Sequence, residues 1–155
     1  TWEGGMREPC IFWGPGLIQP GLMKQIGTTM DLFTTFSKMA NVPLPDDRQM
    51  DGKDLGPTLF EKKPSERKEV FYYRGDELYA VRLGAFKAHF ITEGAYGPPM
   101  REEHDPPILY NLEVDPSEKY NVAENNPEII EQIKALVKKH NSNLVKGEDQ
   151  LKDRG

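Results

Sequence analysis

Three runs of aromatic and β-branched residues, Glu69-Val-Phe-Tyr-Tyr73, Glu77-Leu-Tyr-Ala-Val-Arg82 and Phe86-Lys-Ala-His-Phe-Ile91, are separated only by Arg74-Gly-Asp76 and Leu83-Gly-Ala85. Parallel neighbours need a crossover of a dozen or more residues, so connections this short predict antiparallel pairing. In the third run Phe86, Ala88 and Phe90 alternate with Lys87, His89 and Ile91, which predicts one face on a core and one more polar face. Pro107-Ile-Leu-Tyr-Asn-Leu112 reads as a fourth strand, after which Asp115-Pro-Ser-Glu118 turns the chain away. Asn126-Pro127-Glu128 places a cap, a proline at the first helical position and an acidic second residue at a helix start. Ile129, Ile130, Ile133, Leu136, Val137 and Leu144 form the buried stripe of that helix, and Gly147 is its expected stop. The expected fold class is α+β, a four-stranded antiparallel sheet with a packed C-terminal helix.

The first part of the chain reads differently. Gly4-Gly5 marks a tight turn or a place where another group approaches the backbone closely. Cys10 to Trp13 is a short apolar run bounded by Pro9 and by Gly14-Pro-Gly16, as a buried strand would be, with Cys10 a small buried hydrophobe. Such a strand wants cover on both faces, and the chain begins at Thr1 without a methionine, so it is expected to be a fragment and the strand part of a larger sheet. Thr28 and Thr29 are N-cap candidates for a helix over Met30 to Ala40. Its stripe of Leu32, Phe33, Phe36, Met39 and Ala40 is expected to pack on that sheet, with Asp31 answering the helix dipole. The predicted organisation is residues 1–42 as a strand and helix of a larger α/β layer, 43–68 as a surface loop anchored by Leu55, Leu59 and Phe60, 69–147 as the sheet and helix, and 148–155 as a frayed tail.

Composition narrows the function. With 155 residues and 37% hydrophobic content the chain can bury one modest core. A net charge of −5 without a basic stripe argues against nucleic acid as a partner. No apolar run reaches the length that would cross a membrane. The single cysteine, Cys10, excludes an internal disulfide and a cysteine-based zinc site. His89, His104 and His140 are scattered without carboxylates at ligand spacing, so no metal site is expected. His89 reads as a satisfied sheet histidine and His140 as lying on the exposed side of the last helix. Arg74-Gly75-Asp76 reads as a hairpin turn rather than an adhesion motif, and Glu102, Glu103 and Asp105 as a solvated acidic loop.

Six segments, taken in order, resemble the C-terminal region of type I sulfatases of the alkaline-phosphatase superfamily, in the branch of arylsulfatase A and N-acetylgalactosamine-6-sulfatase. They are Glu3 to Pro9, Met30-Asp-Leu-Phe-Thr-Thr35, Asp51-Gly-Lys-Asp-Leu55, Phe71-Tyr-Tyr-Arg-Gly-Asp76, Lys87-Ala-His-Phe90, and Pro106-Pro-Ile-Leu-Tyr110 with Asp115-Pro. The resemblance implies a large α/β catalytic domain preceding the small sheet, and a full-length enzyme that hydrolyses aryl or carbohydrate sulfate esters. It also implies calcium and a formylglycine in that N-terminal domain, with none bound by this segment. Cys10 is followed by Ile-Phe-Trp rather than by the Pro-x-Arg of the formylglycine motif, and the family's last sulfate-binding lysine lies just before the Glu-Gly-Gly turn. No catalytic residue or metal ligand is therefore carried over, and the segment alone is expected to be inactive.

What the resemblance leaves here is an active-site-adjacent turn, Glu3, Gly4, Gly5 and Arg7. The long Gly/Pro-rich loop from Thr92 to Pro107 adds Arg101 and His104 as substrate-proximal candidates, since a cation or hydrogen-bond donor at the cleft mouth would hold an anionic ester. The implied partners are the N-terminal sulfatase catalytic domain and a sulfate ester, and the implied location is periplasmic, secreted or lysosomal. The competing expectations are a phosphodiesterase or phosphonate hydrolase of the same superfamily, or a non-catalytic structural or binding module.

Overall fold

The computed structural model describes residues 1–97, 99–145 and 147, so the predicted frayed tail from Glu148 to Gly155 lies outside the described residues. Residues 1–8 group with Glu69 and onward in one compact unit, and residues 9–68 form a second.

In the first unit, β1 (Glu69–Arg74), β2 (Glu77–Leu83), β3 (Phe86–Thr92) and β4 (Glu102–Asn111) form one sheet in the order β1-β2-β3-β4. All neighbours are antiparallel. The two hairpin turns place Gly75 at φ 61° and Gly84 at φ 56°, the left-handed conformation that glycine adopts without strain. Register aligns Phe71, Val81, Ala88 and Leu109 across the sheet on one face. That row meets Ile130 and Ile133 of α4 (Pro127–Asn143) to make the core, with Ile129, Leu136 and Val137 partly buried against it.

The opposite face carries a second row in which Arg82, Lys87 and Tyr110 stand side by side, next to Tyr72, Ala80 and His89. The polarity of this face was expected, but not its burial: Lys87 and His89 are both 0% exposed.

β4 starts at Glu102, inside the stretch expected to be loop, because Glu102 and Glu103 continue the ladder opposite Thr92 and Ile91. Its prolines are tolerated because β4 is an edge strand, where a missing N–H need not interrupt pairing. Glu102, Glu103 and Asp105 thus lie on a strand, with Glu103 paired to Arg101 and Asp105 to Lys134.

The last helix begins as expected, with Asn126 at the N-cap, but ends at Asn143 rather than at Gly147. Leu144 lies past its end and is 40% exposed, so it leaves the predicted stripe. His140 is half-buried, not exposed: its ring stacks on Phe71 at 3.8 Å and its Nε2 lies 2.8 Å from the Tyr73 hydroxyl. It falls one and two turns after Leu136 and Ile133, on the inward side of the helix.

The second unit holds α2 (Met30–Met39) and α3 (Gly56–Glu61), the latter buried through Leu59 and preceded by buried Leu55, as the anchor residues predicted. Two expectations fail here. Cys10 to Trp13 forms no strand: Cys10 is exposed, Ile11 is 90% exposed and Trp13 84%. None of the described strands pairs with it, and an unpaired apolar run has no ladder to make it a strand. The apolar stripe of α2 is not packed either, since Phe33, Phe36 and Met39 are more than half exposed.

The buried side of α2 is instead Asp31, Thr34 and Thr35. Asp31 accepts hydrogen bonds from Arg67 and from the amides of Thr28 and Lys53, and Thr35 donates to the Asp31 carbonyl while accepting from Leu55 N. Thr29 occupies the N-cap position without a side-chain bond. The first-turn amides go to backbone carbonyls instead, Asp31 N to Thr28 and Leu32 N to Thr29.

Candidate functional site

The buried polar face of the sheet is completed from the far end of the chain. Residues 1–3 lie on it, and α1 (Glu3–Met6) is a single helical turn beginning at the point of attachment. Lys87 Nζ donates to the Thr1 carbonyl at 2.7 Å and to Glu3 Oε1 at 2.8 Å, and stands 3.1 Å from Glu118 Oε1. Glu118 Oε2 accepts the Glu3 amide at 2.6 Å, while its Oε1 lies 2.7 Å from His89 Nε2. The Trp2 ring stacks on His89 at 4.4 Å, and Lys87 Nζ stands 4.5 Å from the centre of the Tyr72 ring. Arg82 approaches Glu3 Oε2 at 3.9 Å, so Glu3 and Glu118 face Lys87 and Arg82. With His89 neutral, two carboxylates face these two cations, and the charge of the Thr1 ammonium is felt at Glu118 and His89.

The energetics follow from this geometry. Burial pushes the Glu118 carboxyl up, but the His89 hydrogen bond, the Glu3 amide and the Lys87 charge outweigh it and hold the group below its ordinary value. Burial lowers His89 below 6.5, with Glu118 only partly opposing it. The neutral ring then carries its proton on Nε2 toward ionised Glu118, which leaves Nδ1 as a buried atom without a hydrogen-bond partner among the described residues. Burial, followed by the Glu3 charge, pushes the Tyr72 hydroxyl up to about 12.

Both Glu118 and His89 bind fewer protons in the folded chain than in the unfolded one. Their stabilising contribution is fully present above the unfolded values of 6.5 and 4.5, and is lost as pH falls through the lower folded values. The midpoint of urea unfolding is therefore expected to fall as the pH is lowered from about 7.5 to about 5, and again below about 4.5. In His89→Phe the first step should shrink most, and the second should weaken too, since the His89 hydrogen bond is the largest of the effects that lower Glu118. An equal first step in that variant would contradict the assignment.

Sequence reasoning singled out Glu3, Gly4, Gly5 and Arg7 as one turn, and the structure gives that turn its anchor. Glu3 is buried and pinned, whereas Gly4, Gly5 and Arg7 are exposed. Gly4 and Gly5 have ordinary backbone conformations, and a Cβ on either would meet nothing within 4 Å. Glycine in a helical turn costs about 1 kcal/mol against alanine. Nothing among the described residues calls for it.

The other two candidates lie apart from this cluster. Arg101 pairs with Glu77 and Glu103, and His104 Nε2 lies 2.7 Å from the Thr92 hydroxyl. Sequence reasoning missed Lys87 and Glu118 altogether. The available signal was a lysine and a histidine alternating in a strand whose neighbours are apolar. Among the described residues no three His, Cys, Asp or Glu side chains converge as metal ligands. Among the described residues no helix is long and apolar enough to cross a membrane.

Comparison with known proteins places this geometry. Residues 65–155 match the family model described as the C-terminal region of aryl-sulfatase. The chain is 37% identical over 172 residues to an arylsulfatase of Hemicentrotus pulcherrimus, an alignment covering 95% of this chain and 31% of that protein. It is 38% identical over 175 residues to the N-acetylgalactosamine-6-sulfatase of Canis lupus familiaris, covering 97% and 33%. It is 37% identical over 156 residues to human arylsulfatase A, covering 88% and 31%. The chain thus spans about a third of the length of the curated relatives it matches.

Among solved structures, a Bacteroides thetaiotaomicron protein described in the context of glycosaminoglycan metabolism aligns at TM-score 0.55 and 28% identity over 73% of this chain and 24% of its own. A sulfatase of Pseudoalteromonas sp. aligns at TM-score 0.63 and 23% identity over 72% and 25%, a likeness of fold. The match over the sheet and last helix, with sequence identity above a third across nearly the whole chain, makes this chain a member of the aryl-sulfatase C-terminal family.

Proposed function

We propose that this chain serves as the C-terminal part of a sulfatase, a sulfuric ester hydrolase acting on aryl or carbohydrate sulfates, and that it completes the fold and one wall of the active-site cleft. The observation that carries the reading is the alignment of nearly the whole chain with about a third of both an arylsulfatase and an N-acetylgalactosamine-6-sulfatase. On this reading the formylglycine, the calcium ion and the sulfate-binding lysine belong to a preceding catalytic domain, which is the principal partner of this chain. The wall is the turn of Glu3, Gly4, Gly5 and Arg7. Arg101 and His104 stand nearer the cleft mouth, with Arg101 held by two carboxylates that an anionic ester would have to displace. The location would be outside the cytoplasm, in the periplasm, the lysosome or the medium.

The test is p-nitrophenyl sulfate hydrolysis by this chain and by the full-length gene product, the latter coexpressed with a formylglycine-generating enzyme and supplied with calcium. Turnover by the longer protein alone is the expected result. Turnover of a phosphodiester but not of the sulfate ester would transfer the chain to a phosphodiesterase or phosphonate hydrolase of the same superfamily.

A further inference from the structure

We propose that Lys87, His89 and Glu118 are positioning residues, which clasp residues 1–3 to the sheet so that the following turn presents Gly4, Gly5 and Arg7 as a fixed wall toward a sulfated substrate. The proposal rests on the sulfatase reading above and assigns roles that the reading does not contain. Three consecutive residues are each held: Thr1 through its carbonyl by Lys87, Trp2 by stacking on His89, and Glu3 through its amide by Glu118 and its carboxylate by Lys87. These contacts tie the segment to β3 and to the turn after β4, across separations of 84 to 115 residues.

Every charge in the clasp is nearly or fully buried, with Glu3 3% exposed, Glu118 6% and Lys87 0%. Buried ion pairs are a poor source of stability compared with apolar packing, but they admit one geometry and exclude others. A device of that kind suits a segment whose position matters more than its adhesion. The turn it holds has the corresponding surface. Gly4 and Gly5 are exposed with no local need for glycine, as they would be if a body outside the described residues lay close against the backbone. Arg7 follows, exposed and without an ion pair among the described residues, with its amide bonded to the Glu3 carbonyl. A guanidinium presents paired donors that match the oxygens of a sulfate ester.

The test is a double-mutant cycle in the full-length enzyme, with p-nitrophenyl sulfate as the probe. Arg7→Ala and Lys87→Met are each expected to lower kcat/KM about tenfold, and the double variant to fall no further than about the worse single, because Lys87 acts through Arg7 and its turn. Independent losses multiplying to about a hundredfold, or an unchanged kcat/KM in folded Lys87→Met, would overturn the proposal. If Lys87→Met does not fold, Glu118→Gln enters the same cycle, since it keeps an acceptor for the Glu3 amide while removing the charge beside Lys87. Amide exchange gives a reading independent of turnover: in the variant, exchange at Glu3 to Arg7 should quicken while β3 stays protected. Exchange at Glu3 to Arg7 no faster than in the parent would show that no clasp exists. A parent enzyme that hydrolyses no sulfate ester would instead remove the substrate and the functional reading together, leaving exchange to decide the clasp.

Discussion

Glu118→Ala is expected to lower the unfolding free energy by about 3–5 kcal/mol, the range for removing one partner from a buried ionic network. Three groups lose their acceptor at once. The Glu3 amide and His89 Nε2 are left without one, and Lys87, which is 0% exposed, keeps only Glu3 as a carboxylate partner. None of these groups can regain water without lifting residues 1–3 from the sheet, so the penalty is that of uncompensated burial rather than of a lost surface pair. Glu118→Gln retains the shape and one acceptor, and its cost should be smaller, about 1–3 kcal/mol. Glu113→Ala, on an exposed site close in sequence, should stay within about 0.5 kcal/mol of the parent. Urea melts at neutral pH check all three, read as midpoint shifts at constant slope. A shift in Glu118→Ala no larger than that of Glu113→Ala would mean that the network does not hold the segment.

The meander and its covering helix were legible in the sequence because the forces that make them are local. Two-residue turns with glycine at Gly75 and Gly84 allow only antiparallel neighbours, and Asn126-Pro127 starts a helix whose stripe has nowhere to go but the sheet. The alternation of Lys87 and His89 with Ala88 was legible too, though its meaning was not. A period of two assigns faces and says nothing of what covers them, and the cover here arrives from residues more than eighty positions away. The same limit explains Asp31: a carboxylate in a first turn is satisfied by the dipole on paper, while the structure pairs it with Arg67, 36 residues on. Cys10 to Trp13 failed for the converse reason. Apolar composition is necessary for a buried strand, but a ladder partner is what makes one. Of the candidate site, the sequence offered the turn at Glu3 and Arg7, and withheld the three side chains that fix it.

Asp31→Ala should cost the second unit about 3–5 kcal/mol, again by removing the carboxylate from a buried ion pair. Asp31 is 0% exposed and Arg67 8%, and Arg67 Nη2 also donates to the Asp51 carbonyl at 2.7 Å. The carboxylate further accepts the amides of Thr28 and Lys53, both at 2.7 Å, so it joins the start of α2 to the Asp51–Leu55 segment. That segment is seated tightly: a Cβ on Gly52 would stand 2.4 Å from the Met30 carbonyl oxygen. Burial alone would raise the Asp31 carboxyl, but the Arg67 bonds and the two amides prevail and hold it below 3.8, so it is ionised in the folded chain at neutral pH. Asp31→Asn is expected to be nearly as damaging as alanine, since it preserves the shape but removes the negative charge facing Arg67 and replaces one acceptor oxygen with a donor. The decisive comparison adds Arg67→Met to Asp31→Leu. If the cost of the single substitutions arises from a buried guanidinium that has lost its carboxylate, the apolar pair should be more stable than Asp31→Ala despite losing every contact between the two side chains. A double variant less stable than Asp31→Ala in urea melts would show that the bond Arg67 keeps to the Asp51 carbonyl, rather than the charge pairing, carries the join.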